Sequence, residues 1–327
     1  MTLPTTQSSD LILYPISMSP LRIISKRFFS GIRDVSSNLL LSAIIGHEIG
    51  GTCQQTLVDS LLRTNLIPKN SNTENVLRQV DRAHFTLSTT PKHEFYQNRP
   101  LPIGSIATMS TPQHHALILH TLAPHLKPGA SALDLGCGSG YLTICMSKLV
   151  GATGCVIGID IAPDLTQKSS EIFNTNFASD SDSDIQFLRS NGPNVSSPDA
   201  FDCIHISYAL PNRDHIQSFL NILHPDGSLL LPIGLQGQEQ KLLKLTKSSC
   251  GKHIHEEEIM RVLCQPMLQE APKAMLSIKE RRIQIEKDLH NWRTNFEKTH
   301  HRKPTRSDLS SNVAIHHLFQ EYRTLRH

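Results

Sequence analysis

Apolar positions recur with two different periods between residues 53 and 270, and each change of period marks a new element. In "QQTLVDSLLRTNLI", Leu57, Leu61, Leu62 and Leu66 share one face of a helix. "TENVLRQVDRAHF" places Val76, Leu77 and Val80 at helical spacing and predicts a second short helix ending near Arg82. The proline-rich "QNRPLPIGSIATMSTP" reads as a loop, and "QHHALILHTLAPHL", opening behind Pro112, as a helix. Beyond it the strand runs "SALDL", "CVIGIDI", "IQFLRSN" and "AFDCIHISYA" are interleaved with helical "PDLTQKSSEIFNTNF" and "RDHIQSFLNIL". "HPDG" predicts a turn, "SLLLPIG" leads into a hairpin, and "QKLLKLTKS" and "EIMRVLCQPML" predict antiparallel strands. This order implies an α/β, Rossmann-like fold: a mostly parallel, doubly wound sheet with helices on both faces and an antiparallel edge.

The flanks follow other rules. Residues 1–50 form a basic N-terminal extension, 51–270 the α/β domain, and 271–327 a basic helical extension. "SPLRIISKRFFSGIRDVSS" is basic, serine-rich and nearly free of acids, the composition of a mitochondrial transit peptide or of a plain basic extension. A cytoplasmic location is expected, with the mitochondrial matrix as the alternative. From Lys273 to His327 basic residues outnumber acidic ones two to one. "IQIEKDLHNWRTNFEKTH" carries Ile285, Leu289, Trp292 and Phe296 on one face, and "SSNVAIHHLFQEYRTL" repeats the pattern with Val313, Leu318 and Tyr322. A helical hairpin results, either packing on the domain or presenting a surface to a protein partner.

Composition narrows the function classes. A formal net charge of +3 is too small to argue for nucleic acid, and no apolar run is long enough to span a membrane. Seven scattered cysteines without a C-x-x-C pair fit a reducing compartment better than a disulfide framework. "HIHEEE" and "HHRK" show no convergent third ligand, so no metal is expected.

The chemistry centres on "ALDLGCGSGY", with Gly136, Gly138 and Gly140 between an apolar strand and a helix. Its G-x-G-x-G spacing is not the G-x-G-x-x-G of dinucleotide loops, and an acid, Asp134, precedes the glycines. Asp160 closes the next strand, where a carboxylate can accept from two vicinal ribose hydroxyls. An acid before the loop suits the cationic methionine part of S-adenosylmethionine better than a pyrophosphate. Asn191-Gly192 stands where an amide oxygen can accept from adenine, although Asn-Gly equally favours a tight turn.

"DRAHF", "RPLPIGSIATMSTPQHHA", "ALDLGCGSGYLT", "GCVIGIDI", "FDCIHISYALP" and "LHPDGSLLLPIG" occur in the order seen in protein-L-isoaspartate O-methyltransferases, which this chain resembles over residues 53 to 268. The resemblance implies the S-adenosylmethionine-dependent methyltransferase fold and repair of damaged proteins by esterification of L-isoaspartyl, and also D-aspartyl, carboxylates. It implies Ser110 as the active-site hydroxyl. Ala107, Thr108, Met109 and His115 would line the cofactor, and Asp134, Gly136, Gly138, Ser139 and Gly140 would form the methionine end. Asp160 and Ile161 would meet the ribose, and Asn191 with Gly192 the adenine. From position alone, Ser110 also reads as a helix N-cap and His115 as a half-buried helix residue.

Departures from the family pattern stand out. Asn191 replaces an aspartate and the adenine turn lacks a second glycine; Asn98 replaces an acid and Leu268 a hydroxyl residue. A second reading therefore stays open, a weakly catalytic cofactor-binding adaptor that recognises the damage and recruits a partner through residues 271–327.

Overall fold

The computed structural model describes residues 45–104, 107–178, 184–192, 198–266, 278–305, 308–309, 315 and 319. Its centre is a seven-stranded sheet. Two short helices precede it, α1 (Gln54–Arg63) and α2 (Asn72–Gln79), followed by the two-stranded ribbon β1 (Leu101–Gly104) and β2 (Ala107–Met109) and by α3 (Pro112–Leu122). Then come β3 (Ser131–Leu135), α4 (Tyr141–Val150), β4 (Cys155–Asp160), α5 (Pro163–Asn176), β5 (Asp184–Arg189), β6 (Phe201–Ile206), α6 (Ile216–Ile222) and β7 (Leu223–Ile233). Strands β8 (Gln240–Lys247) and β9 (Ile254–Val262) complete the sheet, and α7 (Ile278–His300) stands beyond it. The spatial order is β5-β4-β3-β6-β7-β8-β9, parallel as far as β7 and antiparallel from β7 to β9. After β3 the chain steps to one side of the sheet and after β5 it returns to the other. A crevice therefore opens at the carboxyl ends of β3 and β6, the place where such sheets bind ligands.

Strand alternation sorts the core into two layers. Ala132, Val156, Cys203 and Leu230 face the layer built with α1 to α5. Leu133, Leu135, Ile204, Ile206 and Leu229 face the layer built with α6 through Ile216, Phe219 and Ile222. Burial of each such leucine contributes about 1.5–3 kcal/mol relative to exposure. Helix ends follow local chemistry. Ser71 accepts from the Glu74 N–H at 3.1 Å to start α2, and Thr111 does the same for His114 at the start of α3. Gly151, at φ +62°, ends α4.

Three sequence expectations change. The proline-rich loop contains a ribbon, because Leu101, Ile103 and Met109 alternate inward while Pro102 and Thr108 stay exposed. "HPDG" does not end an element; Leu223 pairs with Phe201 and Ser228 with Cys203, so the four residues bulge out of β7. β9 begins at Ile254, upstream of the expected Glu258, since "HIHEEE" forms the exposed sheet edge with Glu256 and Glu258 paired to Arg213 and Lys241. α7 carries Ile285 fully buried, and Trp292, Phe296 and His300 stack along it at 5.6 and 4.2 Å between ring centroids. The basic stretch 19–37, Leu268 and most of the second predicted C-terminal helix lie outside the described residues.

Candidate functional site

Every glycine of the β3–α4 turn has a steric reason. Gly136, Gly138 and Gly140 hold φ of +76°, +56° and +81°, a region that other residues enter only at a cost. A Cβ on Gly136 would run into Ser207 and Tyr208, one on Gly138 would come within 2.9 Å of Ile103, and one on Gly140 within 2.9 Å of Phe187. Positive φ at all three, with close neighbours at each, makes these positions glycine. The Gly136 and Cys137 N–H groups both donate to the Ile159 carbonyl, at 2.8 and 3.0 Å, which ties the turn to β4.

A cavity of about 980 Å³ opens above this turn. Its wall includes Ala107, Thr108, Met109, Ser110, His115, Asp134, Gly136, Gly138, Ser139, Asp160, Ile161, Asn191 and Gly192, so all but one of the residues singled out from the sequence meet there. The exception is Gly140, which is buried as the left-handed start of α4 against Phe187 and Ser169.

The cavity's acids are held differently. Asp160 accepts the Gly138 N–H on Oδ2 and the Ala162 N–H on Oδ1, both at 2.9 Å. Burial raises its pKa, opposed by those backbone donors. With one bond on each oxygen, the carboxylate keeps lone pairs for two further donors. Asp134 is only 1% exposed. Its Oδ1 lies 2.8 Å from His205 Nδ1, and its Oδ2 accepts the Thr143 hydroxyl at 2.6 Å. At the third corner, the Ser190 hydroxyl donates to the Gly192 carbonyl at 2.6 Å and closes the turn that carries Asn191.

Further lining comes from outside the sheet. Thr111, not Ser110, caps α3, which leaves the half-buried Ser110 hydroxyl free of that duty. Behind it lies Arg82, 1% exposed, its Nη2 donating weakly to the Ser110 carbonyl at 3.4 Å. Burial lowers the Arg82 pKa to about 10, so the guanidinium stays charged at neutral pH. His115 is buried with its ring 4.8 Å from Tyr141, and its Nδ1 has no partner among the described residues. Burial, then the Arg82 charge, pushes its pKa well down. Enclosure in the cavity wall pushes His114 down to about 4. Both imidazoles are therefore neutral at neutral pH. Asn98, on the same side, bridges the Gly46 carbonyl and Gln113, accepting the Gln113 N–H at 3.1 Å.

The sequence reading missed His205, Ser207, Tyr208, His114 and Arg82. A lone histidine inside the apolar run "AFDCIHISYA" was the available signal for the first, because β6 lies beside β3 and His205 is directly opposite Asp134.

A parallel sheet with a crevice at its switch point, an acid ending β4 and a glycine turn ending β3 define the class: a Rossmann-like methyltransferase. Comparison with known proteins narrows it. The sequence model of the protein-L-isoaspartate(D-aspartate) O-methyltransferase family matches residues 52–270, and the chain belongs to that family. Its relatives include the protein-L-isoaspartate O-methyltransferase of Triticum aestivum, 36% identical over 51% of this chain and 72% of the wheat protein. The Caenorhabditis elegans enzyme of the same name is 29% identical over 66% of this chain and 93% of its own. A Plasmodium falciparum chain described as a protein-L-isoaspartate O-methyltransferase, crystallised with S-adenosyl-L-homocysteine, superposes with a TM-score of 0.57 at 26% identity, covering 67% of this chain and 99% of that one.

Proposed function

We infer that this protein transfers a methyl group from S-adenosyl-L-methionine to the free carboxylate of L-isoaspartyl residues in damaged proteins. The observation that carries the reading is the single cavity in which the β3 and β4 carboxyl ends meet Ser110 and its ribbon. The residues present suit the cofactor. Asp160 has acceptor capacity left for ribose hydroxyls, and the Asn191 turn borders the same space. Neutral His114 and His115 add no positive charge that would repel a sulfonium.

S-adenosylmethionine, which Asp160 and the Asn191 turn would hold, would supply an electrophilic methyl on a sulfonium with a neutral thioether as leaving group. The chain's own residues then have a light task. The α-carboxylate that an isoaspartyl linkage leaves free has a pKa of about 3.5 and is already ionised, so no general base is needed. In this reading the Ser110 hydroxyl donates to one oxygen of the substrate carboxylate, which its position on the cavity wall supports. Arg82, charged behind the Ser110 carbonyl, adds a positive potential that favours the anion. Met109 and Ile103 anchor the ribbon in the core. Alignment of the two reactants is the main contribution. D-aspartyl residues, which offer a similarly displaced carboxylate, are proposed as further substrates.

The test is methyl transfer from labelled S-adenosylmethionine to paired peptides that differ only in aspartyl or isoaspartyl linkage. Base-labile label on the isoaspartyl peptide alone is the expected result. Label on both peptides or on neither contradicts the assignment.

A further inference from the structure

Residues 45–50 fall by sequence in the N-terminal extension, yet the structure builds them into the domain. Ile49 is buried in the main core, 5% exposed. The Gly50 N–H donates to the Ser60 hydroxyl of α1 at 3.0 Å, and the Gly51 N–H to the Tyr96 carbonyl at 3.1 Å. Gly50 also forms an antiparallel bridge with Gln97. Anchored in this way, Ile45, Gly46 and His47 become part of the cavity wall.

Asn98 ties that wall to the helix that follows Ser110. Its Oδ1 accepts the Gln113 N–H at 3.1 Å, and its Nδ2 donates to the Gly46 carbonyl and to Gln113 Oε1, both at 3.0 Å. The two backbone partners fix the orientation of the amide, since an N–H needs the oxygen and a carbonyl needs the NH₂. An aspartate at 98 could still accept from Gln113 but would set a second oxygen against the Gly46 carbonyl. The approach also demands a glycine: a Cβ on Gly46 would stand 2.6 Å from Gln113 Oε1 and 2.7 Å from Asn98 Nδ2. Gln113 is the second residue of α3, three positions after Ser110. The segment therefore joins the lining at the start of α3, the end that the functional reading gives to the substrate carboxylate.

An isoaspartyl residue arrives inside a polypeptide, and the residues flanking it must leave the cavity across its edge. His47 is exposed and belongs to the lining there. We propose that residues 45–47 form a rim over which the substrate polypeptide runs, with Asn98 as the positioning residue that holds them against α3. The assignment rests on the methyltransferase reading and adds to it a part of the chain that selects substrates by what flanks the isoaspartyl linkage.

The experiment measures Asn98→Asp with two isoaspartyl peptides, a long one and one trimmed to the residues beside the linkage, together with the Kd for S-adenosylhomocysteine. For the long peptide kcat/KM should fall about tenfold, through KM, while the short peptide and the Kd stay within about twofold. A loss of general fold integrity would lower both peptides alike. Should Asn98→Asp fail to fold, Gly46→Ala serves instead: it displaces the segment from the other side, leaves Asn98 in place, and should show the same selective loss. Equal loss with both peptides, or no loss with either, overturns the assignment. If the unaltered chain methylates neither peptide, the methyltransferase reading falls and this proposal falls with it.

Discussion

The glycine turn and the β1–β2 ribbon line the same cavity and meet where Gly138 packs against Ile103, yet they are built on opposite plans. The turn hangs between two buried parallel strands, its backbone bonded into β4 and every glycine enforced by a neighbour. The ribbon is a short two-stranded piece outside the main sheet, held by a few inward side chains and backed by Arg82 and α3. One wall is specified by backbone geometry and tolerates little. The other presents side chains on a scaffold that can vary. That difference suits a protein whose cofactor is constant and whose substrates are many polypeptides.

The largest effect should come from attacking the rigid wall. Gly136→Val places a β-branched residue at positive φ and drives it into Ser207 and Tyr208. Strain and overpacking together cost on the order of 3 kcal/mol or more. A thermal melt should show a large drop, and calorimetry no cofactor binding. Next comes Asp160→Ala, which deletes the carboxylate proposed to accept from the ribose and leaves the Gly138 and Ala162 N–H groups unpaired. Cofactor affinity should fall about 10- to 100-fold, measured as the Kd for S-adenosylhomocysteine.

A smaller effect separates the other wall by acidity. The folded pKa of His114 is lowered from 6.5 to about 4 and that of His115 lies well below 6.5, so the unfolded chain binds more protons on acidification. Stability should therefore be full above about pH 6.5 and decline as pH falls towards 4, by up to about 1.4 kcal/mol per pH unit for each histidine. His114→Phe should flatten that slope in denaturant melts across the window; an unchanged slope would remove His114 from the account. The smallest effect is predicted for Gly192→Ala, because a Cβ there meets open space. Its melting temperature should stay within about 2 °C of the unaltered chain.

Most of this architecture was legible in the chain. Periods of two and 3.6 separated strands from helices, and the glycine turn with flanking Asp134 and Asp160 pointed to the cavity above β3 and β4. What escaped depends on tertiary neighbours. No local pattern says that Asp134 faces His205, since the pairing arises only when β6 is laid beside β3. Nor does the sequence show that Thr111 takes the cap and releases Ser110, because both hydroxyls stand before Pro112. Gly140 read as a ligand contact, whereas its conformation serves the start of α4. The ribbon hid behind its prolines, with only the inward alternation of Leu101 and Ile103 to mark it.

The central claim is that the two walls divide the work, the glycine turn holding the cofactor and Ser110 addressing the substrate carboxylate. Ser110→Ala tests it most directly when methyl transfer to an isoaspartyl peptide and the Kd for S-adenosylhomocysteine are measured on the same preparation. The account predicts transfer reduced about tenfold, the scale of one hydrogen bond to a charged group, with the Kd unchanged within about twofold. Full transfer, or a cofactor affinity that falls as far as the rate, would contradict it.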